Sequence, residues 1–341
     1  MAVAGCGTHR AQVIDRQGLV VTTADTLIEV EWNRVLNDTG TARVLIHPDG
    51  DCCEKLGAVR SWRHRLVIWR DQKPVFEGPI IQASWGIGTV ELFAGDVLAW
   101  LDRRVPHSDM TFTGRDLTEI AEALIDDGFA PDDPGHTVQI VGKSGVTGDR
   151  TYETDVEQTG DHLRDLAGTG LDYTAIGSTI LLLPDDFAVS IGSLSDVDLP
   201  DGLVIAEDGA ALATRWVVHG DEETGIKGVA GGVDAYYGLL ERAAEETSIK
   251  DNASAASAAL SRLRTSYPVP IFMDSDQVTL SPDANIDVPL LVPGWCLDIT
   301  SVLACRNLAQ RLKVLGVKVV ENGDSEKIQV QLGPTGFGSG V

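Results

Sequence analysis

Three observations place this chain in the mainly β class with an α+β insert. Residues 10–105 carry short apolar runs of period two, separated by turn signals. Residues 106–187 change to helix-period patterns, and residues 188–235 and 269–334 return to strand-like runs. The insert therefore interrupts a β architecture, which for strands this short and regular is a sandwich or a barrel.

The elements follow in order. "TLIEVEWNRVL" alternates Leu27, Glu29 and Glu31 against Ile28, Val30 and Trp32. "TARVLIHP", "RHRLVIWR", "PVFEGPIIQASW" and "GTVELFAG" come next, with turns at 37–40, 48–50 and 86–88. The run from Pro74 to Ser84 contains Gly78-Pro79; proline cannot donate to a ladder and glycine weakens one. "DVLAWLDRR" reads as a short helix closing the unit. In "TGRDLTEIAEALIDDG", Leu117, Ile120, Ala121, Leu124 and Ile125 share one helical face, and Gly128 stands where a glycine ends a helix. A second helix is expected over 159–167, with Leu163, Leu166 and Ala167 inward and Gly168 as its stop. Gly177-Ser178 marks a two-residue hairpin.

Strands are expected at "FAVSIGSL" and "ATRWVVHG", followed by a glycine-rich mobile loop over 220–235. A helix over 250–268, capped by Asp251 or Asn252, ends at Pro268. Its alanines fit either close packing on a sheet or another subunit, or a polar-faced linker. "RLKVLGVKVVENGDSEKIQVQL" is a hairpin around Gly323-Asp324. Its apolar phase switches at Gly316, as a β-bulge produces. Residues 336–341 read as a flexible tail.

Composition excludes several function classes. The 341 residues have 43% hydrophobic and 23% charged content, which is that of a globular protein. The net charge of −24, from 51 acidic and 27 basic residues, argues against sequence-independent nucleic-acid binding. No apolar run approaches the ~20 residues of a membrane helix, and the first residues lack a signal-peptide pattern. Cys6, Cys52, Cys53, Cys296 and Cys305 are too few and odd in number for a disulfide scaffold, so buried free thiols are expected. A bridge from Cys6 to Cys52 or Cys53 is the alternative.

No motif carries recognisable chemistry. "VQIVGKSG" ends like a phosphate-binding loop, but Thr137 stands where the first glycine is needed. Gly86-x-Gly88 lacks a third glycine, and Glu91 takes its place. Asp274-x-Asp276 begins like a calcium loop and then fails at Val278. The seven histidines form no metal-binding frame. The acidic pairs Asp126-Asp127, Asp132-Asp133 and Asp185-Asp186 read as solvated loops rather than converging carboxylates. No catalytic residue, cofactor or metal is therefore expected, and a structural or interaction role leads.

Several segments in this order resemble the tail hub (baseplate hub, minor tail) proteins of long-tailed bacteriophages. They are "EVEWNRVLNDTGTARVLI", "LVIWRDQKPVFEGPI", "LTEIAEALIDDG", "YYGLLER", "ASAALSRL" and "LLVPGWCLDIT", and the resemblance spans most of 25–334. It implies two small β-barrel domains plus a helix-containing insert domain. The first barrel takes 1–105 with 188–235, the insert 106–187, and the linker helix with the second barrel 236–335. It further implies a homotrimer that joins a sixfold distal tail ring or tube to a threefold tip, spike or fibre. DNA passes through the lumen without specific binding, with no membrane anchoring, in a virion component assembled in the host cytoplasm. Many hubs carry a C-terminal enzymatic extension, whereas this chain stops just after its last strand. The rival readings are a cell-wall-degrading tail enzyme and a hexameric distal tail protein. Within a barrel, Gly78-Pro79 becomes a corner, so the strand over 74–84 is expected to be real but bent or bulged there.

Overall fold

The structure, a computed structural model, describes residues 4–24, 26–48, 50–200, 205–207, 209–220, 225–267, 271–273, 278–302, 308–323 and 325–335. The calcium-like Asp274 and Asp276, Cys305, Pro268 and the 336–341 tail lie outside these residues.

The N-terminal unit is built of β1 (His9–Ile14), β2 (Val20–Ala24), β3 (Leu27–Val35), β4 (Thr41–Ile46), α1 (Gly50–Gly57), β5 (Arg65–Arg70), β6 (Lys73–Gly86) and β7 (Thr89–Gly95). Period two puts Val30 and Trp32 of β3, Val44 and Ile46 of β4, and Leu66 and Ile68 of β5 into one core. A 3-10 helix of about two turns, Val97–Arg103, follows, capped by the Asp96 side chain on Leu98 N.

The insert holds β8 (Met110–Asp116), α2 (Leu117–Phe129), β9 (Thr137–Ile140), β10 (Thr147–Tyr152), α3 (Thr159–Ala167), β11 (Leu171–Ile176) and β12 (Thr179–Pro184). The apolar face of α2 is buried as its period requires, with α3, β11 and β12 in the same separate core. Gly177 turns the β11–β12 hairpin at φ 59°. Gly128 differs from expectation. It lies inside α2, and Ala130 caps the helix. An added Cβ on Gly128 would sit 3.3 Å from Thr159 Oγ1 and Leu101 Cδ2, so this glycine serves close packing.

The third unit follows β13 (Ser190–Ser195). Strands β14 (Ile205–Glu207), β15 (Arg215–His219), β16 (Lys227–Gly231) and β17 (Glu241–Glu245) precede α4 (Asn252–Ser266) and β18 (Ile271–Met273). Strand β15 pairs antiparallel with β16 and parallel with β17, and β14 pairs with β18. Part of the stretch expected as a loose loop is thus an ordered strand. Asp251 caps α4 by accepting from Ser254 N, while Asn252 Oδ1 accepts from Lys227 N. Ala255, Ala258 and Ala259 are buried with Val218 and Ile249. The alanine face therefore packs on this chain's own sheet, and strand 215–219 groups with 241–245 and α4.

The chain closes with β19 (Val278–Thr279), β20 (Cys296–Ser301), β21 (Leu308–Asn322) and β22 (Ser325–Pro334). The expected pair of closed β-barrels is corrected here: no closed barrel forms among the described residues. The strands run as one twelve-stranded sheet along the path β13-β20-β21-β3-β4-β7-β6-β5-β1-β2, with β22 and β19 branching from β21. The physical reason is edge pairing. Residues 316–322 of β21 bond to β3, so an edge that could close a second barrel instead joins the C-terminal strands to the N-terminal ones. Their apolar residues share a single core. No helix among the described residues is long and apolar enough to cross a membrane.

The close approach of β16 to α4 yields a prediction. A Cβ on Gly228 would lie 2.0 Å from the Ala255 carbonyl carbon, which is backbone and has little room to retreat. Gly228→Ala should therefore destabilise the β15–β17/α4 unit by about 1–3 kcal/mol. Limited proteolysis would show new cuts within 215–267. An unchanged digestion pattern and melting curve would refute the tight contact.

Candidate functional site

The residues singled out in the sequence do not converge on a reaction centre. Asp127 accepts from His107 N at 2.6 Å and Ser108 Oγ at 2.5 Å, and Asp126 is largely exposed. Asp132 pairs with Arg16 and Arg104, while Asp133 Oδ1 accepts from Gly135 N and His136 N. Asp185 accepts from Ser261 Oγ, and Asp186 lies 3.5 Å from Arg264. Each pair ties the chain's own segments together. Among the described residues no group of three or more His, Cys, Asp or Glu could hold a metal ion.

The phosphate-loop look-alike is a turn around a carboxylate. Ser144 Oγ and Gly145 N donate to Asp116 at 3.0 and 2.9 Å, and Lys143 Nζ reaches Glu119 at 2.7 Å. Burial pushes the Asp116 carboxyl up, but hydrogen bonds from Thr118, Ser144 and Gly145 hold it below the usual range. These donors already have an anion. Gly86 and Gly88 lie in the β6–β7 turn, with Gly88 at φ 75°. Cys6 and Cys53 are exposed, Cys52 is half-buried, and only Cys296 is buried; all four are free thiols.

Gly78, Pro79 and Gly316 stand where two long strands change partners. Residues 73–79 of β6 pair with β5, and residues 80–86 pair with β7. The register shifts fall at Val75 and Ile81, which stay unmatched, while Gly78 and Pro79 keep regular partners in Leu66 and Arg65. A Cβ on Gly78 would lie 1.9 Å from the Gly95 carbonyl oxygen. Strand β21 pairs with β20 up to Lys313 and with β3 from Gly316, and its register against β22 shifts between Val314 and Gly316. Strands that switch sheets through bulges make the corners of packed sheets.

Buried polar groups fix the units against each other. Lys313 Nζ lies 2.6 Å from Asp172 Oδ2, and both side chains are only 7% exposed. Asn37 donates to Asp172 Oδ1 at 2.8 Å and accepts from Tyr173 N at 2.8 Å. Arg34 donates to the carbonyls of Pro289, Leu291 and Val75 at 2.9–3.0 Å, and burial lowers its pKa to about 10.

Two surface features were not read from the sequence. The first is an open groove of about 590 Å³ lined by Asp15, Arg16, Trp62, Arg63 and His64 among others. Trp62 holds φ 61°, uncommon for a bulky residue, with Arg103 5.5 Å from its ring. The second is the turn 233–240, where Val233 is 79% and Tyr236 87% exposed. The run "VRSWRHR" was a visible signal of the first, but Arg16 and Arg103 join it only through the fold.

No family model matches the sequence, and no curated protein matches it. Solved structures do. The chain superposes on the 43 kDa tail protein of prophage MuSo2 from Shewanella oneidensis with a TM-score of 0.65, 12% identity, and coverage of 96% and 99% of the two chains. The fold is that of phage tail proteins. A tail protein from Neisseria meningitidis MC58 gives a TM-score of 0.67 at 12% identity, covering 96% of each chain. The prophage tail protein gp18 of Listeria monocytogenes gives 0.62 at 10% identity, covering 94% of each. An E. coli type VI secretion component, described as similar to the T4 tail proteins gp27 and gp5, gives 0.54 at 11% identity over 91% of this chain.

One buried group in this tail-protein fold sets a pH dependence. Asp96 accepts from Gly40 N at 2.7 Å and Leu98 N at 2.9 Å, and burial pushes its carboxyl up to about 7. A raised acid contributes stability that is fully present below its unfolded pKa of about 4 and is lost as pH rises through the folded value. Asp96→Asn removes this titration while keeping one acceptor. The stability gap between wild type and variant should therefore narrow from about pH 4 to about pH 7 in denaturant titrations. A gap independent of pH would show that Asp96 ionises as in the unfolded chain.

Proposed function

We propose that this chain is the trimeric hub of a phage tail. Three copies join a sixfold distal ring or tube to a threefold tip, spike or fibre and surround part of the DNA exit channel. The observation that carries the reading is the correspondence with phage tail proteins over nearly the full length of both chains. Two further features support it. Each of β6 and β21 is a long strand that changes partner near a glycine, β6 from β5 to β7 and β21 from β20 to β3, and the reading takes the strands about them as the two groups each chain offers. Three chains with two such groups can meet six equivalent sites above. The net charge of −24 suits a passage through which DNA slides without being held.

The role is structural. The acidic pairs are tied into the chain's own loops, which leaves the carboxylate reading of a cell-wall enzyme without a converged pair. The chain acts as a virion component at the tail tip, with no membrane anchoring and no cofactor.

Copy number tests this directly. Native mass spectrometry of isolated tail tips, or a symmetry-resolved reconstruction, should count three copies around an axial lumen. Six copies would move the chain to the distal ring, and a single copy would refute both assignments.

A further inference from the structure

We propose that a cavity between the insert and the third unit binds a small oxyanion, a carboxylate or a phosphate-type group, through the guanidinium of Arg150. The inference goes beyond the tail-hub reading and does not depend on copy number.

The cavity has a volume of about 140 Å³. Its walls include Arg150 and Tyr152 of β10, His162 and Asp165 of α3, and Ser248 and Lys250 ahead of α4. One buried water needs only ~10–15 Å³ by the same measure, so a ligand of several atoms fits. Period two turns Gly148, Arg150 and Tyr152 to one buried face of β10. Strand geometry therefore carries the Arg150 charge inward. Beside the cavity the two units already touch. Asp149 N donates to Asp251 Oδ2 at 3.4 Å, and Ser254 Oγ donates to the Thr147 carbonyl at 3.3 Å.

Arg150 is the odd member of a small set. Among the described residues the buried arginine and lysine side chains are Arg34, Arg70, Arg150 and Lys313. Arg34 donates to three carbonyls, Arg70 is forked on Glu326, and Lys313 is paired with Asp172. Arg150 donates from Nη1 to the carbonyl of its own neighbour Asp149 at 3.0 Å, and its Nη2 meets no acceptor. A buried cation without a counter-charge is costly, and a guanidinium fork matches a carboxylate or a phosphate. Burial pushes the Tyr152 hydroxyl up, so this group stays protonated and can donate to the same ligand.

Two carboxyl groups at the cavity limit the ligand's charge. Glu157 is 64% exposed and leans towards His162 Nδ1 at 3.6 Å, while His162 Nε2 lies 3.1 Å from the Val156 carbonyl. Burial, and then the charge of Glu157, push the Asp165 carboxyl up against the opposing effect of His162. Neither carboxyl is hydrogen-bonded to Arg150. A singly charged oxyanion fits beside an acid that protonates readily, and a polyanion does not.

Calorimetric titration and melting of the full chain test this, with sodium phosphate and sodium acetate as separate probes at constant ionic strength. Wild type should bind at least one probe at a single site and melt higher in its presence. Which probe binds distinguishes a phosphate from a carboxylate ligand. Arg150→Met should lose at least about tenfold in affinity. Without oxyanion this variant should melt at or above wild type, since it removes an uncompensated charge, and in saturating probe it should melt below. Tyr152→Phe should weaken binding, and Asp165→Asn, which removes a negative charge, should tighten it. These two variants decide the matter if Arg150→Met does not fold. A wild type that binds neither probe would overturn the proposal. So would Arg150→Met melting below wild type by the same margin with and without probe, because Arg150 would then be a packing residue. Tyr152→Phe and Asp165→Asn both titrating as wild type does would overturn it too.

Discussion

The architecture depends on two long strands, β6 and β21, that each pass from one partner to another along their length. Strand β6 changes partner just after Gly78, against which the Gly95 carbonyl packs so tightly that no side chain fits. Pro79, opposite Arg65, is the last residue before the ladder changes sides, where a missing donor is tolerated. The same close approach delivers the chain from β7 into the 3-10 helix through Asp96, whose carboxylate also holds Gly40. Strand β21 changes partner across Leu315, the extra residue of a register shift, without so close a backbone contact at Gly316. Without these two switches the N-terminal and C-terminal strands could not share a core.

A second layer of specification comes from buried polar groups placed at the seams. The Lys313–Asp172 pair joins the C-terminal hairpin to the insert, and Asn37 at φ 60° completes the junction from the β3–β4 turn. Burial raises the Asp172 carboxyl even against Lys313, so the pair carries a desolvation cost. Such pairs contribute little net stability against a well-packed apolar alternative, yet removal of one partner leaves a charge stranded. Their use here is positional. The Arg34 guanidinium among three carbonyls plays the same part between β3, β6 and residues 289–291.

What the sequence made legible was what local periodicity encodes. Helices α2 and α3, the Gly177 hairpin and the 308–334 hairpin followed from apolar spacing and turn residues. Gly128 misled because a glycine that ends a helix and one that lets two helices touch look alike until the neighbour is known. The 220–235 stretch misled similarly: Gly228 and Gly231 are strand residues whose missing side chains admit α4 and the Thr214 carbonyl. The pairing of β3 with β21 spans nearly the whole chain, and no local pattern specifies which edge a strand will take. The open groove was hidden for the same reason, since Arg16, Arg63 and Arg103 come from three separate elements.

The acidic excess also bears on how the chain associates with anything. At physiological ionic strength charges beyond ~8 Å are largely screened, so the repulsion between two copies acts mainly near contact. What decides their relative orientation is therefore the local pattern of the surfaces that touch, not the total of −24. A surface of mostly one sign disfavours nearly every docking geometry. Places where arginines gather, such as Arg63 and Arg103 at Trp62, then leave the few arrangements without like-charge contact, which is specificity obtained by exclusion. On this argument the acidic excess rejects wrong encounters and such local surface admits those that fit.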